Sequence, residues 1–250
     1  MTISAFGVDA AALAAGAAIF VLGGLVKGVL GVGLPLVVVP LLSLGEPAAR
    51  AIAMVAVPVL TSNCWQAWDS GVSIQGVRRF LPLIVCLLIT TLITVPLTLA
   101  MSEAALRSTV AVALLIAVAL NALPLRLNVS PARERWWSAG VGVLSGLLGG
   151  VSSLIGPLII SYLVSLRLAR EVFVGTISVI YLAGALPLYG TMAAEGRIGL
   201  RDALLSALAL LPMAAGLLLG KRLRGKLSEV AFRRVLLGFL VAVALMLFFK

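Results

Sequence analysis

The amino-acid sequence predicts an all-α integral membrane protein. Of its 250 residues, 62% are hydrophobic and only 11% are charged, and the mean hydropathy is +1.20. A water-soluble fold could not keep so much apolar surface away from solvent, so lipid must surround most of the exterior. Apolar segments long enough to cross a hydrocarbon layer of about 30 Å recur from one end of the chain to the other.

Eight long apolar segments form two series of four. They are Ala10–Val26, Ala48–Trp68, Phe80–Ala100 and Ala104–Leu123, then Trp137–Leu148, Phe173–Met192, Leu200–Leu219 and Val230–Phe249. After the first member of each series comes a shorter segment, Leu34–Leu44 or Leu154–Leu166. Each shorter segment is about half to two-thirds of a normal span. The sequence therefore predicts eight long transmembrane helices and two short ones.

The two series resemble each other, which predicts an internal duplication. Residues 102–107 (SEAALR) match residues 228–233 (SEVAFR) at four of six positions, and residues 33–36 (GLPL) correspond to residues 155–158 (IGPL). Chance similarity between apolar stretches is the alternative, but the shared polar residues favour duplication. We expect a first transmembrane repeat over residues 1–125, a cytoplasmic linker over 126–136 and a second repeat over 137–250.

The distribution of Lys and Arg predicts the orientation, because cytoplasmic loops hold the excess of these residues. With five crossings per repeat and an external N-terminus, fourteen of the 19 basic residues lie inside. The five outside are Arg50, Arg107, Arg197, Arg201 and Lys250. If the short segments are re-entrant instead, the split falls to eleven against eight. Five crossings also make the repeats inverted, a recurrent plan in secondary transporters.

Composition argues against several other classes of protein. The net charge of +10 comes from basic residues in short loops rather than from one basic face, so we expect no nucleic-acid partner. The chain has no histidine and its two cysteines, Cys64 and Cys86, lie in apolar segments. A zinc site or a disulfide scaffold is not expected, and neither is a cofactor. The N-terminal segment lacks the basic start of a cleaved signal, and we expect a multi-pass protein of a bacterial inner membrane.

Glycine and proline mark two places where a helix should break. Five glycines and a proline occur within the thirteen residues from Gly23 to Pro35, among them Gly31 and Gly33, and a counterpart runs from residue 146 through Gly156 to Pro157. Irregular backbone at membrane depth must be buried by protein or line a wet cavity. A broken helix leaves free N–H groups and a positive dipole end, which suits an anion. Paired short segments of this kind indicate a transport site, and we predict that Gly31, Gly33, Pro35, Gly156 and Pro157 belong to it.

Some of the glycines also fit a packing motif. The GxxxG spacing, which lets two helices approach closely, occurs at three places: Gly24/Gly28, Gly142/Gly146/Gly150 and Gly216/Gly220. For these glycines helix packing is the favoured interpretation, whereas the Gly-Pro elements are assigned to the site.

Polar residues within the first repeat supply further candidates. Lys27 is the cation nearest to the first break; its side chain could either contact a substrate or extend to the inner headgroups. Asn63 and Gln66 could donate to the oxygens of an anion or bond neighbouring helices.

The second repeat offers only neutral candidates. Ser152, Ser153 and Thr176 could donate hydrogen bonds to a substrate, while Tyr162 and Tyr181 are interpreted as packing or interfacial residues. The acidic residues fall near the ends of segments, so no buried proton relay is visible in the sequence.

The glycine-rich lead with Pro35–Leu42 (PLVVVPLL), and the later residues 146–150 (GLLGG) running to Gly156-Pro157-Leu158, resemble the paired signatures of the sulfite exporter TauE/SafE family. The resemblance covers nearly the whole chain and implies transport of a small, often sulfur-containing anion, such as sulfite or an organosulfonate, across a bacterial plasma membrane. Leu34, Lys27 and the pair Ser152-Ser153 depart from the commonest motif.

The leading hypothesis is a secondary transporter that alternates access around the two broken helices. Its expected partners are a small anionic substrate and the lipid bilayer, and the sequence leaves open whether it forms a homo-oligomer. A channel or a membrane subunit of a larger transport complex is the alternative, because the absence of a Walker-type loop excludes only intrinsic ATP hydrolysis. An intramembrane enzyme would need a nucleophile, metal ligands or an acid/base pair, for which the sequence offers little.

Overall fold

A computed structural model of the protein describes residues 10–122, 129–224, 226 and 228–249. All regular elements in these residues are helical, as predicted. A 3₁₀ turn lies at Pro131–Arg133. The α-helices are α1 (Ala10–Leu30), α2 (Leu34–Leu42), α3 (Ala48–Met54), α4 (Ala56–Asp69), α5 (Ile74–Arg78), α6 (Leu81–Leu99), α7 (Glu103–Ala122), α8 (Glu134–Ser152), α9 (Gly156–Ser165), α10 (Arg170–Ala194), α11 (Leu200–Leu208), α12 (Leu210–Leu223) and α13 (Glu229–Phe248).

Seven helical stretches in the described residues are long and apolar enough to cross a membrane. They are α1, α3 with α4, α6, α7, α10, α11 with α12, and α13. Helix α8 has 19 residues but is not among the seven, because its glycines, serines and Arg135 lower its hydropathy. The structure thus supports a multi-pass helical protein with seven such spans where the sequence predicts eight.

The two short helices fold back along the helices that precede them. At the start of α2, Leu34 and Val38 lie against Gly23 in the C-terminal part of α1, and the end of α2 shares a cleft with residues 12–20. In the same way Ile155 lies against Gly149, and Tyr162 of α9 is hydrogen-bonded to Ser138 near the start of α8. Each short helix therefore runs opposite to its neighbour.

Two segments predicted as continuous helices are broken in the structure. The predicted segment Ala48–Trp68, the third span of the first repeat, divides at Val55 into α3 and α4. The predicted segment Leu200–Leu219, the fourth span of the second repeat, divides at Ala209 into α11 and α12. Each break comes three residues before a proline, Pro58 or Pro212. Because proline has no N–H for the carbonyl four residues earlier and its ring crowds that carbonyl, the helix is interrupted there.

Two pairs of parallel helices are joined through glycine. A Cβ at Gly24 or Gly28 of α1 would meet the backbone of α12, and a Cβ at Gly216 or Gly220 of α12 would meet the backbone of α1. The other pair, α6 and α8, uses the same device: Gly142 and Gly146 lie against the backbone of α6, and Gly150 lies against Thr94. The packing interpretation of the GxxxG glycines is confirmed, since any side chain there would separate the helices.

Ion pairs join loops and helix ends at two levels of the bundle. At one level, Arg50 lies 2.8 Å from Glu46 and 3.0 Å from Asp202. At the other level, Arg79 forms a bidentate ion pair with Glu134, in which Nε lies 2.5 Å from Oε1 and Nη2 lies 2.7 Å from Oε2. These contacts tie the starts of α3 and α11 together, and separately tie the end of α5 to the start of α8.

Candidate functional site

The first break in the chain lies between α1 and α2. Helix α1 ends at Leu30, and Gly31 and Gly33 have φ angles of 86° and 102°. These angles fall in the left-handed region that residues with a side chain rarely adopt, so the glycines permit the sharp turn. Helix α2 begins at Leu34 with Pro35 in its first turn, and no side chain caps it. The amide groups of that turn therefore have no side-chain acceptor.

The second break, between α8 and α9, has the same plan with a different residue. Ser153 follows α8 with a φ of 63°, an uncommon conformation for a residue other than glycine, asparagine or aspartate. Helix α9 then begins at Gly156, with Pro157 in its first turn and again no side-chain cap. Both breaks thus present the uncapped start of a short helix shortly after a left-handed residue.

The two breaks open onto one cavity of about 40 Å³. Gly33 and Pro35 line it from the first break, and Ser153, Gly156 and Pro157 line it from the second. The structure therefore brings together five of the residues predicted for the site. Because a water molecule needs roughly 10–15 Å³ of such space, the cavity could hold about three waters or one small anion.

The rest of the cavity wall is mostly apolar. Three polar side chains contribute, those of Asn121, Tyr181 and Tyr189, and the other lining residues are Leu36, Val59, Leu154, Ile155, Ile160, Gly184, Ala185 and Leu188. None of the described residues that line the cavity carries a charge. Any positive potential from the wall itself must come from the starts of α2 and α9, whose dipoles are positive at this end.

The two cavity tyrosines lie close to the second break. A Cβ at Gly156 would overlap the hydroxyl of Tyr181, which has no hydrogen-bond partner within the described part of the chain. The Tyr189 hydroxyl lies 3.1 Å from Oγ of Ser153, and either oxygen could donate. Both tyrosines are more than nine-tenths buried. The cavity is therefore lined by hydroxyl groups at the start of α9.

Lys27 points into the protein rather than towards the headgroups. Its side chain is 3% exposed, and Nζ donates to Oγ of Ser62 at 2.9 Å and to Oδ1 of Asn63 at 3.0 Å. Ser62 in turn donates to the carbonyl of Pro58. Lys27 is not among the residues that line the cavity, but Asn63 lies one turn along α4 from Val59, which is. The ammonium group is therefore bonded to α4 within one turn of a residue of the cavity wall, and Lys27 does not itself line the cavity.

Gln66 connects the first break to two other helices. Its Nε2 donates to the carbonyl of Gly31 at 3.3 Å, and its Oε1 accepts from the hydroxyl of Ser178 on α10 at 3.4 Å. Lys27 and Gln66 thus fasten the end of α1 to α4 one turn apart. The predicted residues Lys27, Gly31, Asn63 and Gln66 form one hydrogen-bonded group that supports the first break.

Comparison with known proteins gives one result. The model of the family described as sulfite exporter TauE/SafE matches residues 16–247. The chain belongs to the sulfite exporter TauE/SafE family. Neither a curated protein nor a solved structure gives a significant match. The resemblance seen in the Gly/Pro signatures is confirmed, and the protein is a multi-pass membrane protein with a transport role.

Two residues predicted for the site of this TauE/SafE protein lie elsewhere. Oγ of Ser152 donates to the carbonyl of Leu148 at 2.6 Å and accepts from the amide of Leu154 at 3.3 Å. Both bonds are local contacts at the C-terminal end of α8. Thr176 is fully buried in α10, and its hydroxyl has no hydrogen-bond partner in the described residues. Neither residue lines the cavity between the two breaks.

The cavity tyrosines of this TauE/SafE protein, Tyr181 and Tyr189, are not among the residues that the sequence predicts for the site. On α10 the residues Tyr181, Gly184, Ala185 and Leu188 all line the cavity, and they follow the spacing i, i+3, i+4, i+7. This spacing places side chains on one face of a helix. The sequence feature that could have indicated this part of the cavity wall is therefore a pair of small residues flanked by a tyrosine and a leucine. Tyr162, by contrast, is buried against Phe80 and Ser138, as its packing interpretation predicted.

Proposed function

We propose that this protein is a secondary transporter that carries a small, sulfur-containing oxyanion, such as sulfite or an organosulfonate, by alternating access. The anion would occupy the cavity between the starts of α2 and α9. The observation that carries the proposal is the meeting of two uncapped helix starts, at Leu34 and Gly156, at one cavity. Helix starts of this kind bind anions because their N–H groups and dipoles both favour negative charge.

The wall of the cavity suits an oxyanion rather than a cation. Its polar side-chain groups include the hydroxyls of Ser153, Tyr181 and Tyr189, and no described lining residue is a carboxylate. Hydroxyls and backbone amides can donate to several oxygens at once. A sulfur oxyanion offers such oxygens in a compact group.

Two inverted repeats, residues 1–125 and 137–250 joined by a linker over 126–136, form part of the proposal. Residues 123–128 lie outside the described part of the chain. The pattern of helix contacts supports an internal two-fold relationship. The first helix of each repeat packs against the fourth span of the other, as α1 with α12 and α8 with α6, and the third spans pair as α4 with α10. The last helices, α7 and α13, pair in the same way.

Such a relationship is what alternating access needs, because each repeat can adopt the conformation of the other. With α2 and α9 counted as crossings, each repeat crosses five times, for eight long and two short crossings in all. The basic loops then favour an external N-terminus in a bacterial inner membrane.

The proposal is tested by reconstituting the purified protein into liposomes. Radiolabelled sulfite should be taken up in exchange for internal unlabelled sulfite, and uptake should saturate with concentration. Acetate and chloride should compete weakly. Exchange identifies a carrier, whereas a channel would pass the anion down its gradient without acceleration by internal substrate. Absence of sulfite or sulfonate flux through well-folded protein would contradict the proposed function.

A further inference from the structure

The cavity between the two breaks has little positive charge of its own. Its sources are the starts of α2 and α9, helices of 9 and 10 residues. A helix N-terminus acts as roughly half an elementary charge, so the two together compensate about one negative charge. The described lining residues add no ionic group.

A second observation points to a ligand at the same place. Tyr181 lines the cavity and is more than nine-tenths buried, and its hydroxyl has no hydrogen-bond partner in the described residues and lies beside the position that a Cβ of Gly156 would take. A largely buried hydroxyl with no protein partner needs an acceptor from whatever occupies the cavity, and here it lies beside the uncapped start of α9. An anion oxygen in the cavity would give this hydroxyl its missing acceptor.

Lys27 adds no positive charge to the surface that an anion in the cavity would contact. Its Nζ donates to Ser62 and Asn63, and Lys27 is not among the residues that line the cavity. A second negative charge in the cavity would thus be held away from water without a cation in contact, which is strongly unfavourable in a low-dielectric site.

We infer that the cavity selects an oxyanion with a single negative charge, such as hydrogensulfite or a small sulfonate, over divalent anions of the same size. This inference rests on the proposed function and narrows its substrate class. The apolar part of the wall, including Leu36, Val59 and Leu188, fits the same class, because it can contact the alkyl group of a sulfonate without desolvating a charge.

Methanesulfonate and sulfate form a matched pair for the test. Both are compact, with tetrahedral sulfur, and a methyl group in one replaces an oxygen of the other, so they differ mainly in charge. Binding to the purified protein is measured by calorimetry at neutral pH and constant ionic strength. We expect methanesulfonate to bind with a dissociation constant at least about tenfold lower than that of sulfate, or about 1.4 kcal/mol.

Sulfate binding as tightly as methanesulfonate would overturn this inference and leave the proposed function intact. Binding of neither anion, together with no flux of sulfite, would contradict both. Sulfite gives an internal check, because its monovalent fraction falls as pH rises. Its flux at fixed total concentration should fall from pH 6 to pH 8 while methanesulfonate flux stays constant, with protein-free liposomes correcting for leakage.

Variants locate the selectivity in the cavity. Tyr181→Phe should weaken methanesulfonate binding about threefold to tenfold, because it removes one donor to the anion. Tyr162→Phe is the matched control, since it removes a buried tyrosine hydroxyl that is bonded to Ser138, and it should leave binding unchanged. Lys27→Gln should keep the preference for the monovalent anion; a preference that changes by more than about tenfold would show that Lys27 sets the charge selectivity.

Discussion

Nζ of Lys27 lies 3.0 Å from Oδ1 of Asn63, so a buried cation of α1 is bonded to an amide of α4. No carboxylate in the described residues is paired with this cation. The ammonium group depends on neutral acceptors, Asn63 and Ser62, to replace the water it loses on burial. The pair joins the helix before the first break to the helix that carries Val59 of the cavity wall.

This pairing predicts a non-additive effect of two substitutions on stability. Asn63→Leu alone should destabilise the protein by about 1.5–3 kcal/mol, because it leaves a buried cation short of an acceptor. Lys27→Met combined with Asn63→Leu should cost less than the sum of the two single changes. The measurement is unfolding in detergent followed by tryptophan fluorescence. Strictly additive effects would mean that the two side chains do not interact.

The second prediction concerns the space beside Gly156. Gly156→Ala would place a Cβ against the hydroxyl of Tyr181, and overpacking of this kind typically costs about 1–3 kcal/mol. We expect a marked loss of anion flux. Adding Tyr181→Phe should restore part of the packing, because the overlapping oxygen is gone. Gly238→Ala is the control, since a Cβ there would meet nothing within 4 Å; equal losses in both variants would contradict the prediction.

The positions of the breaks could be read from the sequence, because their cause is local. Glycine permits left-handed backbone and proline suits the first turn of a helix, so Gly31, Gly33 and Pro35 indicate an interrupted helix without knowledge of the fold. The short helices α2 and α9 accordingly begin where Gly/Pro spacing predicts a break. The GxxxG glycines were equally readable, since close helix packing selects small residues directly.

Which residues line the cavity could not be predicted from the sequence in the same way. Lys27 is next to a break in sequence, yet its side chain turns towards α4, and Tyr189 is far away in sequence, yet its hydroxyl meets Ser153. The Lys27 contact depends on how α1 packs against α4, and the Tyr189 contact depends on how α10 packs against the end of α8. Both arrangements are set by packing of the whole bundle and not by any local motif.

The third prediction concerns the break in the third span. The hydroxyl of Ser206 on α11 donates to the carbonyl of Met54 at 2.8 Å and accepts from the amide of Val57 at 3.1 Å. It thus supplies a partner for the carbonyl that Pro58, lacking an N–H, cannot bond. Ser206→Ala should destabilise the protein by about 1–3 kcal/mol, because two partly buried backbone groups lose a partner.

Ser43→Ala is the matched control for that change. Ser43 is also fully buried, but its hydroxyl bonds only to the carbonyl of Val39 in its own helix, which the amide of Ser43 already satisfies. Thermal unfolding of both variants in the same detergent gives the comparison. If Ser43→Ala is as damaging as Ser206→Ala, the bridging role of Ser206 is wrong.

The fourth prediction is a pH dependence outside the spans. The hydrogen bonds from Arg79 hold the pKa of the Glu134 carboxyl below its usual value of 4.5. A carboxyl with a lowered pKa stabilises the fold at neutral pH, and that contribution is lost as pH falls below 4.5 and through the lowered value. Because the Arg79 side chain is 48% exposed, the pair contributes only about 0.2–1 kcal/mol.

Glu134→Gln should therefore lower the unfolding temperature slightly at pH 7, and the difference from the parent protein should shrink as the solution is acidified. Melting curves between pH 7 and pH 3 in a detergent without charge provide the measurement. A difference that grows on acidification would contradict the sign of this assignment.

The last prediction tests the proposed topology. Arg79 pairs with Glu134, which places the loop before α6 and the start of α8 on one side of the bundle. Arg197 donates to the carbonyl of Leu99 at the opposite end of α6. Asp202 at the start of α11 pairs with Arg50 at the start of α3, and we assign these helix ends to the other side of the bundle. The basic loops predict that the first side is cytoplasmic.

Single cysteines at Gln75 and Ser130, in a background with Cys64 and Cys86 replaced, should therefore resist an impermeant maleimide in intact cells. Single cysteines at Ser102 and Glu195 should react. All four positions are exposed at the protein surface, so differences in labelling report the membrane side rather than burial. In permeabilised cells the maleimide should label all four positions, which controls for reactivity.

Labelling of Gln75→Cys and Ser130→Cys from outside, with protection of the other two positions, would mean that the orientation is the reverse of the one proposed. If Gln75→Cys and Ser130→Cys react on opposite sides, the count of five crossings per repeat is wrong, because both positions would lie on the cytoplasmic side in that arrangement.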